Sequence, residues 1–244
     1  MNIVATIEAR MRSTRLPGKV LLPAAGKPML GHLVDRLRRV PSLNAIVLAT
    51  TTHPDDDVLE AFAQASGLRC FRGSEEDVMG RVIGAAELAR ADIVVEITGD
   101  CPLIDPDLVE QTIRMFLANP CDYASNAHLR SYPDGMDVQV FPLDILRQTY
   151  CRTKDRLDLE HVTLYIRNHP ELFRQVHLVA PPSLHRPELG LTLDEPGDYA
   201  LFLRIFEHFA PRTDSFSCLD VLNLLDAHPD WILLNQDVRR KGDA

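Results

Sequence analysis

Ile3-Val4-Ala5-Thr6-Ile7-Glu8-Ala9-Arg10-Met11-Arg12-Ser13-Thr14-Arg15-Leu16-Pro17-Gly18-Lys19 is the stretch from which the fold is read. Its first five residues form a short apolar run of the kind that makes a strand buried on both faces. A loop follows to about Pro28, punctuated by Gly18 and Gly26 and by Pro17, Pro23 and Pro28. Met29, Leu30, Leu33, Val34, Leu37 and Val40 then recur at three- and four-residue steps, which predicts an amphipathic helix. Strand, loop and helix in that order begin an α/β sheet.

The alternation continues outward. Asn44–Thr51 is a second apolar run, and Pro54 with Asp55-Asp56-Asp57 opens a helix, proline at its first position and acids in its first turn. Leu68–Arg72 reads as a strand, Glu75–Ala89 as a helix, Ile93–Thr98 as a buried strand and Pro106–Ala118 as a helix. The rhythm then loosens. Tyr123–Asn126 and Val138–Phe141 read as strands around a polar excursion, Ala127–Asp137, and Leu189–Leu193 as a late strand. Helices are expected at Pro142–Tyr150, Leu157–Asn168, Pro196–Phe209 and Cys218–Ala227. The expected architecture is a mostly parallel sheet covered on both faces. A single domain is expected over 1–244, with a small inserted substrate-side lobe at about 120–190.

Composition narrows the function. The 244 residues are 45% apolar, 25% charged and 6% aromatic, ordinary for a globular protein. No run of about 18 apolar residues exists, so no membrane helix is expected. Glu8 interrupts what would be the apolar stretch of a signal peptide, and a cytoplasmic protein is expected. Five cysteines at irregular spacing, with no Cys-x-x-Cys pair, read as reduced thiols. A net charge of −9 argues against nucleic acid as partner. That charge is uneven: the first 40 residues carry net +6 and the remainder −15. A basic first loop on an acidic chain can attract a small polyanion locally.

In an open parallel sheet, ligands bind beyond the carboxyl ends of the strands. Arg10, Ser13, Arg15 and Lys19 follow the first strand; Arg72 and Ser74 follow the third; Thr98 and Asp100 follow the fourth. Guanidinium groups grip phosphate oxygens bidentately, while a lysine supplies a mobile point charge. The glycine spacing is that of neither a Walker loop nor a dinucleotide fingerprint. Magnesium takes one or two protein carboxylates and completes its shell with phosphate and water, and Asp100 and Asp194 are candidates for that pair. The competing roles are a turn residue for Asp100 and a helix cap before Pro196 for Asp194. Asp105, Asp107 and Asp55-Asp56-Asp57 read as helix-start acids, and Cys101 as a packing residue.

Ile7-Glu8-Ala9-Arg10-x-x-Ser13-x-Arg15-Leu16-Pro17-Gly18-Lys19 and Gly26-Lys27-Pro28-Met29 strongly resemble the opening of the cytidylyltransferases that activate acidic sugars. These include the CMP-KDO and CMP-sialic acid synthetases and the branch named for the spore coat polysaccharide protein SpsF, the branch most similar here. Arg72-Gly73-Ser74-Glu75-x-Asp77-Val78, Thr98-Gly99-Asp100-x-Pro102, Tyr132-Pro133-x-Gly135-x-Asp137-Val138, Glu160-His161-Val162-Thr163 and Leu193-Asp194-x-Pro196-x-Asp198-Tyr199 extend the likeness to about residue 205. The resemblance implies a Rossmann-like sugar-nucleotidyltransferase fold and transfer of CMP from CTP to an acidic sugar, with Mg2+, for surface polysaccharide synthesis. It implies that Arg10, Arg15 and Lys19 bind the triphosphate, with Arg15, Lys19 and Asp100 catalytic and Asp100 and Asp194 as metal ligands. Glu8, Ala9, Ser13, Arg72, Ser74 and Thr98 would complete the nucleotide site; Tyr132, Asp137, Glu160 and His161 would meet the acceptor. A homodimer is also implied. Glu8 stands where CMP-KDO synthetases have proline, and Thr98, Cys101 and Ser74-Glu75-Glu76 also depart from them. Those departures bear on the acceptor more than on the nucleotide; the alternatives are another base, a phosphorylated small-molecule acceptor or a non-catalytic nucleotide-binding relative.

Overall fold

The computed structural model describes residues 1–210, 212–213 and 215–238; the other residues of the expected 1–244 domain lie outside the described residues. In chain order come β1 (Ile3–Glu8), a short hairpin of β2 (Pro23–Ala24) and β3 (Lys27–Pro28), α1 (Met29–Leu37), β4 (Ala45–Thr51), α2 (Asp57–Ala65), β5 (Arg69–Gly73), α3 (Val78–Leu88), β6 (Ile93–Thr98) and α4 (Pro106–Ala118). There follow β7 (Tyr123–Ser125), β8 (Gln139–Pro142), α5 (Leu143–Arg152), α6 (Arg156–Glu160), α7 (Leu164–Asn168), β9 (Gln175–His177), α8 (Pro196–Phe209), α9 (Cys218–Ala227) and α10 (Pro229–Ile232). Seven strands form one sheet in the order β5-β4-β1-β6-β8-β7-β9. Only β8 pairs antiparallel, with β6 on one side and β7 on the other.

The pleat of β1 explains the three layers. Ile3, Ala5 and Ile7 join a core built with α1, α2 and α4, whereas Val4 joins the opposite core with α3, α5 and α7. Alternate side chains of one strand thus bury on both faces. A third core packs α8 and α9 against Met29, Tyr132, Met136, Leu191 and Leu193. Gly135, at φ 96°, lets the polar excursion lie on this late segment: a Cβ there would stand 2.1 Å from the Leu191 carbonyl oxygen.

Two expected elements are corrected. Leu189–Leu193 is not a strand; its one ladder contact is a bridge between Asp134 and Gly190. Its alternating leucines bury into the third core, while Leu191 N and Leu193 N donate to loop carbonyls of Asp134 and Asp100. Period-two burial reports a buried face, not a paired backbone. The expected helix Leu157–Asn168 is broken into α6 and α7, because Val162 adopts φ 46°. A β-branched residue in that region is strained, and such strain gathers where a site over-determines the backbone.

Candidate active site

The carboxyl ends of β1 and β6 open onto a cleft of about 750 Å3 lined by the 10–19 loop, the start of α3 and the α6–α7 break. The loop is closed by a 2.8 Å bond from Gly18 N to Met11 O, with Gly18 at φ 69°. Asp56, 1% exposed, ties it down by accepting from Met11 N at 2.7 Å while its other oxygen accepts from the Thr51 hydroxyl at the end of β4. Gly99 brings β6 against β1: its N–H donates to Glu8 O at 2.8 Å, and a Cβ there would stand 2.7 Å from the same oxygen. The next residue, Asp100, therefore faces the loop.

Lys19 is the centre of the polar set. Its Nζ donates to Asp100 Oδ2 at 2.7 Å and to Asp194 Oδ1 at 2.9 Å, which keeps those two oxygens within 5.6 Å of each other. Arg15 Nη2 lies 2.7 Å from the same Asp194 oxygen, and its Nη1 lies 3.7 Å from Glu195. Burial pulls the Lys19 ammonium down, but Asp100 and Asp194 outweigh it and hold the group above its ordinary value. Burial likewise pushes the Asp100 carboxyl up, and Lys19 more than reverses that. Asp194 is not the helix cap, which is Glu195: the N–H groups of Asp194 and Glu195 donate to Asp198, and the Asp194 carboxylate meets the cations and the Thr192 hydroxyl. At the other end of the loop, Arg10 and Arg12 each reach Glu75 at 3.2 Å. The helix expected over Glu75–Ala89 starts at Val78, with Asp77 accepting from Gly80 N, so Glu75 is a loop residue.

The spacing of Asp100 and Asp194 fits a six-coordinate divalent ion that takes its other ligands from phosphate and water. The cation already standing between the two acids says the same about their field. No group of three or more potential ligands occurs among the described residues.

A family model described as Cytidylyltransferase matches residues 4–201. The chain belongs to the cytidylyltransferase family. It is a CTP-dependent nucleotidyltransferase. This cytidylyltransferase is 33% identical to the uncharacterized protein MJ1063 of Methanocaldococcus jannaschii, over 99% of its own length and 98% of that protein's. It is 35% identical to the spore coat polysaccharide biosynthesis protein SpsF of Bacillus subtilis, over 94% and 96%. It is 37% identical to 3-deoxy-manno-octulosonate cytidylyltransferase of Pelobacter propionicus, over 49% and 46%. Among solved structures, a cytidylyltransferase from Leptospira borgpetersenii superposes with a TM-score of 0.91 at 30% identity, covering 98% of this chain and 100% of that one. CMP:2-keto-3-deoxy-manno-octonic acid synthetase, solved with CTP, shares the fold at a TM-score of 0.62 and 20% identity over 85% and 99% of the two chains. Rv0371c of Mycobacterium tuberculosis, solved with manganese, shares it at 0.56 and 18% over 85% and 99%.

Most residues expected in the site of this cytidylyltransferase converge on the cleft: Glu8, Ala9, Arg10, Ser13, Arg15, Lys19, Thr98, Asp100, Asp137, Glu160, His161 and Asp194 line it. Three lie elsewhere. Arg72 braces the sheet edge, bonding the Thr51 and His53 carbonyls and pairing with Asp57 and Glu60. Ser74 Oγ accepts from Glu76 N and Asp77 N, ordering the loop before α3. Tyr132 is 2% exposed and belongs to the third core.

Sequence reasoning missed the inner end of the cleft. Glu96, 5% exposed, lies beside Glu8 on one face of the sheet, and both line the cleft. Its Oε2 accepts from Gln139 Nε2, and Gln139 Oε1 accepts from the Tyr123 and Thr163 hydroxyls. Burial pushes the Glu96 carboxyl up to about 7, and burial with Glu96 beside it raises Glu8 as well. Arg130 reaches Asp137 at 3.5 Å, and burial pushes that carboxyl up to about 6. The signal for Glu96 was present: one acid inside Ile93-Val94-Val95-Glu96-Ile97 needs a reason to be there.

Proposed function

We propose that this enzyme transfers CMP from CTP to an acidic sugar of the ulosonic or nonulosonic type, releasing pyrophosphate, with Mg2+ held by Asp100 and Asp194. The observation that carries this reading is the meeting of Lys19 and Arg15, from the basic loop, with Asp100 and Asp194 beyond the strand ends. The acceptor oxygen attacks the α-phosphorus in line, and pyrophosphate leaves with the electron pair of the broken bond. Negative charge grows on that leaving group, where pre-placed cations act most strongly, and Arg15 and Lys19 are the cations in reach. Bound between the two aspartates, the metal would add charge neutralisation and orient phosphate oxygens. No protein nucleophile is needed, because such transfers rest on positioning and electrostatics.

The acceptor assignment is supported by three further arginines of the cleft: Arg130 reaches Asp137, and Arg156 and Arg167 line the same space. Arginines there suit a carboxylate, and the carboxyls suit sugar hydroxyls. The relative SpsF, a spore coat polysaccharide biosynthesis protein, supports a role in surface polysaccharide synthesis. The 120–190 segment is read as the substrate-side lobe of a single domain. A cytoplasmic homodimer is part of the same reading: all five cysteines are free thiols, and Leu129 of the excursion is 51% exposed. The test is pyrophosphate release across CTP, UTP, ATP and GTP, each with 3-deoxy-manno-octulosonate or N-acetylneuraminate. CTP should be used clearly best; a preference for another triphosphate removes the CTP assignment and leaves the reaction class.

A further inference from the structure

The point between the two aspartates is taken by a cation of the chain itself. Lys19 Nζ stands 2.7 Å from Asp100 Oδ2 and 2.9 Å from Asp194 Oδ1, on a side chain only 11% exposed. A divalent ion drawing on the same two oxygens would need that point, and an ammonium and a metal ion repel at such a distance. The rest of the loop is engaged in the same way. Arg15 shares Asp194 at 2.7 Å, and Arg10 and Arg12 share Glu75 at 3.2 Å. Carboxylates therefore hold the loop's cations where phosphates would otherwise pull them.

We propose that Lys19 is a positioning residue that acts as an internal counter-ion: it holds Asp100 and Asp194 at ligand spacing and keeps a divalent ion out until a triphosphate draws its ammonium away. This rests on the metal–triphosphate reading of the site. An arriving triphosphate offers phosphate oxygens to Lys19 and Arg15, which frees both carboxylates for the metal that the same phosphates also attract. Metal and nucleotide then bind as coupled partners, and the coupling is reciprocal. Lys19 thus does two things in sequence: it preserves the geometry of an acid pair that would otherwise splay by repulsion, and it then moves to the leaving group. Arg15 Nη2 also lies 2.7 Å from Asp194 Oδ1, so truncating the lysine should leave one of the two acids compensated.

The experiment titrates Mn2+ alone into the full chain without nucleotide and follows free Mn2+ by electron paramagnetic resonance. Lys19→Met and Lys19→Gln should bind Mn2+ at least tenfold more tightly than the unmodified chain, while Lys19→Arg should bind as weakly as the unmodified chain. Adding Asp194→Asn to Lys19→Met should abolish the gain. In the otherwise unmodified chain, Asp194→Asn should leave nucleotide-free Mn2+ binding unchanged, which tests the idea even where a lysine variant does not fold. The inference is overturned if the Met and Gln variants bind no more tightly, if the gain survives Asp194→Asn, or if Asp194→Asn alone weakens Mn2+ binding to the nucleotide-free chain. No turnover enters these readouts, so a chain that behaves this way yet transfers no CMP would refute the proposed function and leave this inference standing.

Discussion

Replacing Glu96 by glutamine should stabilise the protein, and by an amount that depends on pH. Glu96 lies in the sheet beside Glu8, and burial raises its carboxyl from 4.5 to about 7. The folded state therefore holds this proton more tightly than the unfolded chain does. The resulting penalty is absent below pH 4.5, grows as pH rises, and is complete above pH 7. At 1.36 kcal/mol per pKa unit, the full penalty is about 3 kcal/mol. Glutamine is neutral throughout, has the same shape, and can still accept from Gln139. Urea unfolding followed by circular dichroism should give Glu96→Gln a stability gain of up to about 3 kcal/mol at pH 8, and near none at pH 4.5. A loss of stability that is equal at the two pH values would refute the reasoning. Because Glu96 lines the cleft, the gain should come with reduced turnover, the trade usual for charges kept at a site.

Arg15→Ala and Lys19→Ala should each lower turnover by at least about a hundredfold, the scale for losing one preorganised charge contact, with the circular dichroism spectrum retained. Full activity in both would make the loop an idle basic surface. A chelator should abolish activity and magnesium restore it; Asp100→Asn should be inactive at saturating metal, whereas Asp194→Asn should mainly raise the metal concentration required. Activity that survives chelation would contradict the carboxylate-pair site. Light scattering at micromolar concentration should report a dimer, and a monomer would count against the homodimer.

The sheet was legible because β1, β4 and β6 are apolar runs, and a run buried on both faces leaves little other choice. The basic loop was legible as charge, and Asp100 and Asp194 as acids near strand ends, although Asp194 follows a buried extended segment and not a strand. What escaped depends on tertiary pairing. Glu75 reads as the first residue of a helix until Arg10 and Arg12 are seen across the cleft. Arg72 looks like a nucleotide contact until its bonds to the Thr51 and His53 carbonyls are seen. The left-handed Val162 splits a helix that its leucines predict as continuous, and no local residue preference announces it.

The most direct test of the central claim follows the α-phosphorus. CTP carrying 32P at the α position is incubated with magnesium and 3-deoxy-manno-octulosonate or N-acetylneuraminate, and the labelled products are separated. The account predicts label in a CMP-sugar, formed one-for-one with pyrophosphate and only when an acceptor is present. Label that stays in CTP with both acceptors, or that ends in free CMP at a rate indifferent to acceptor, would contradict it.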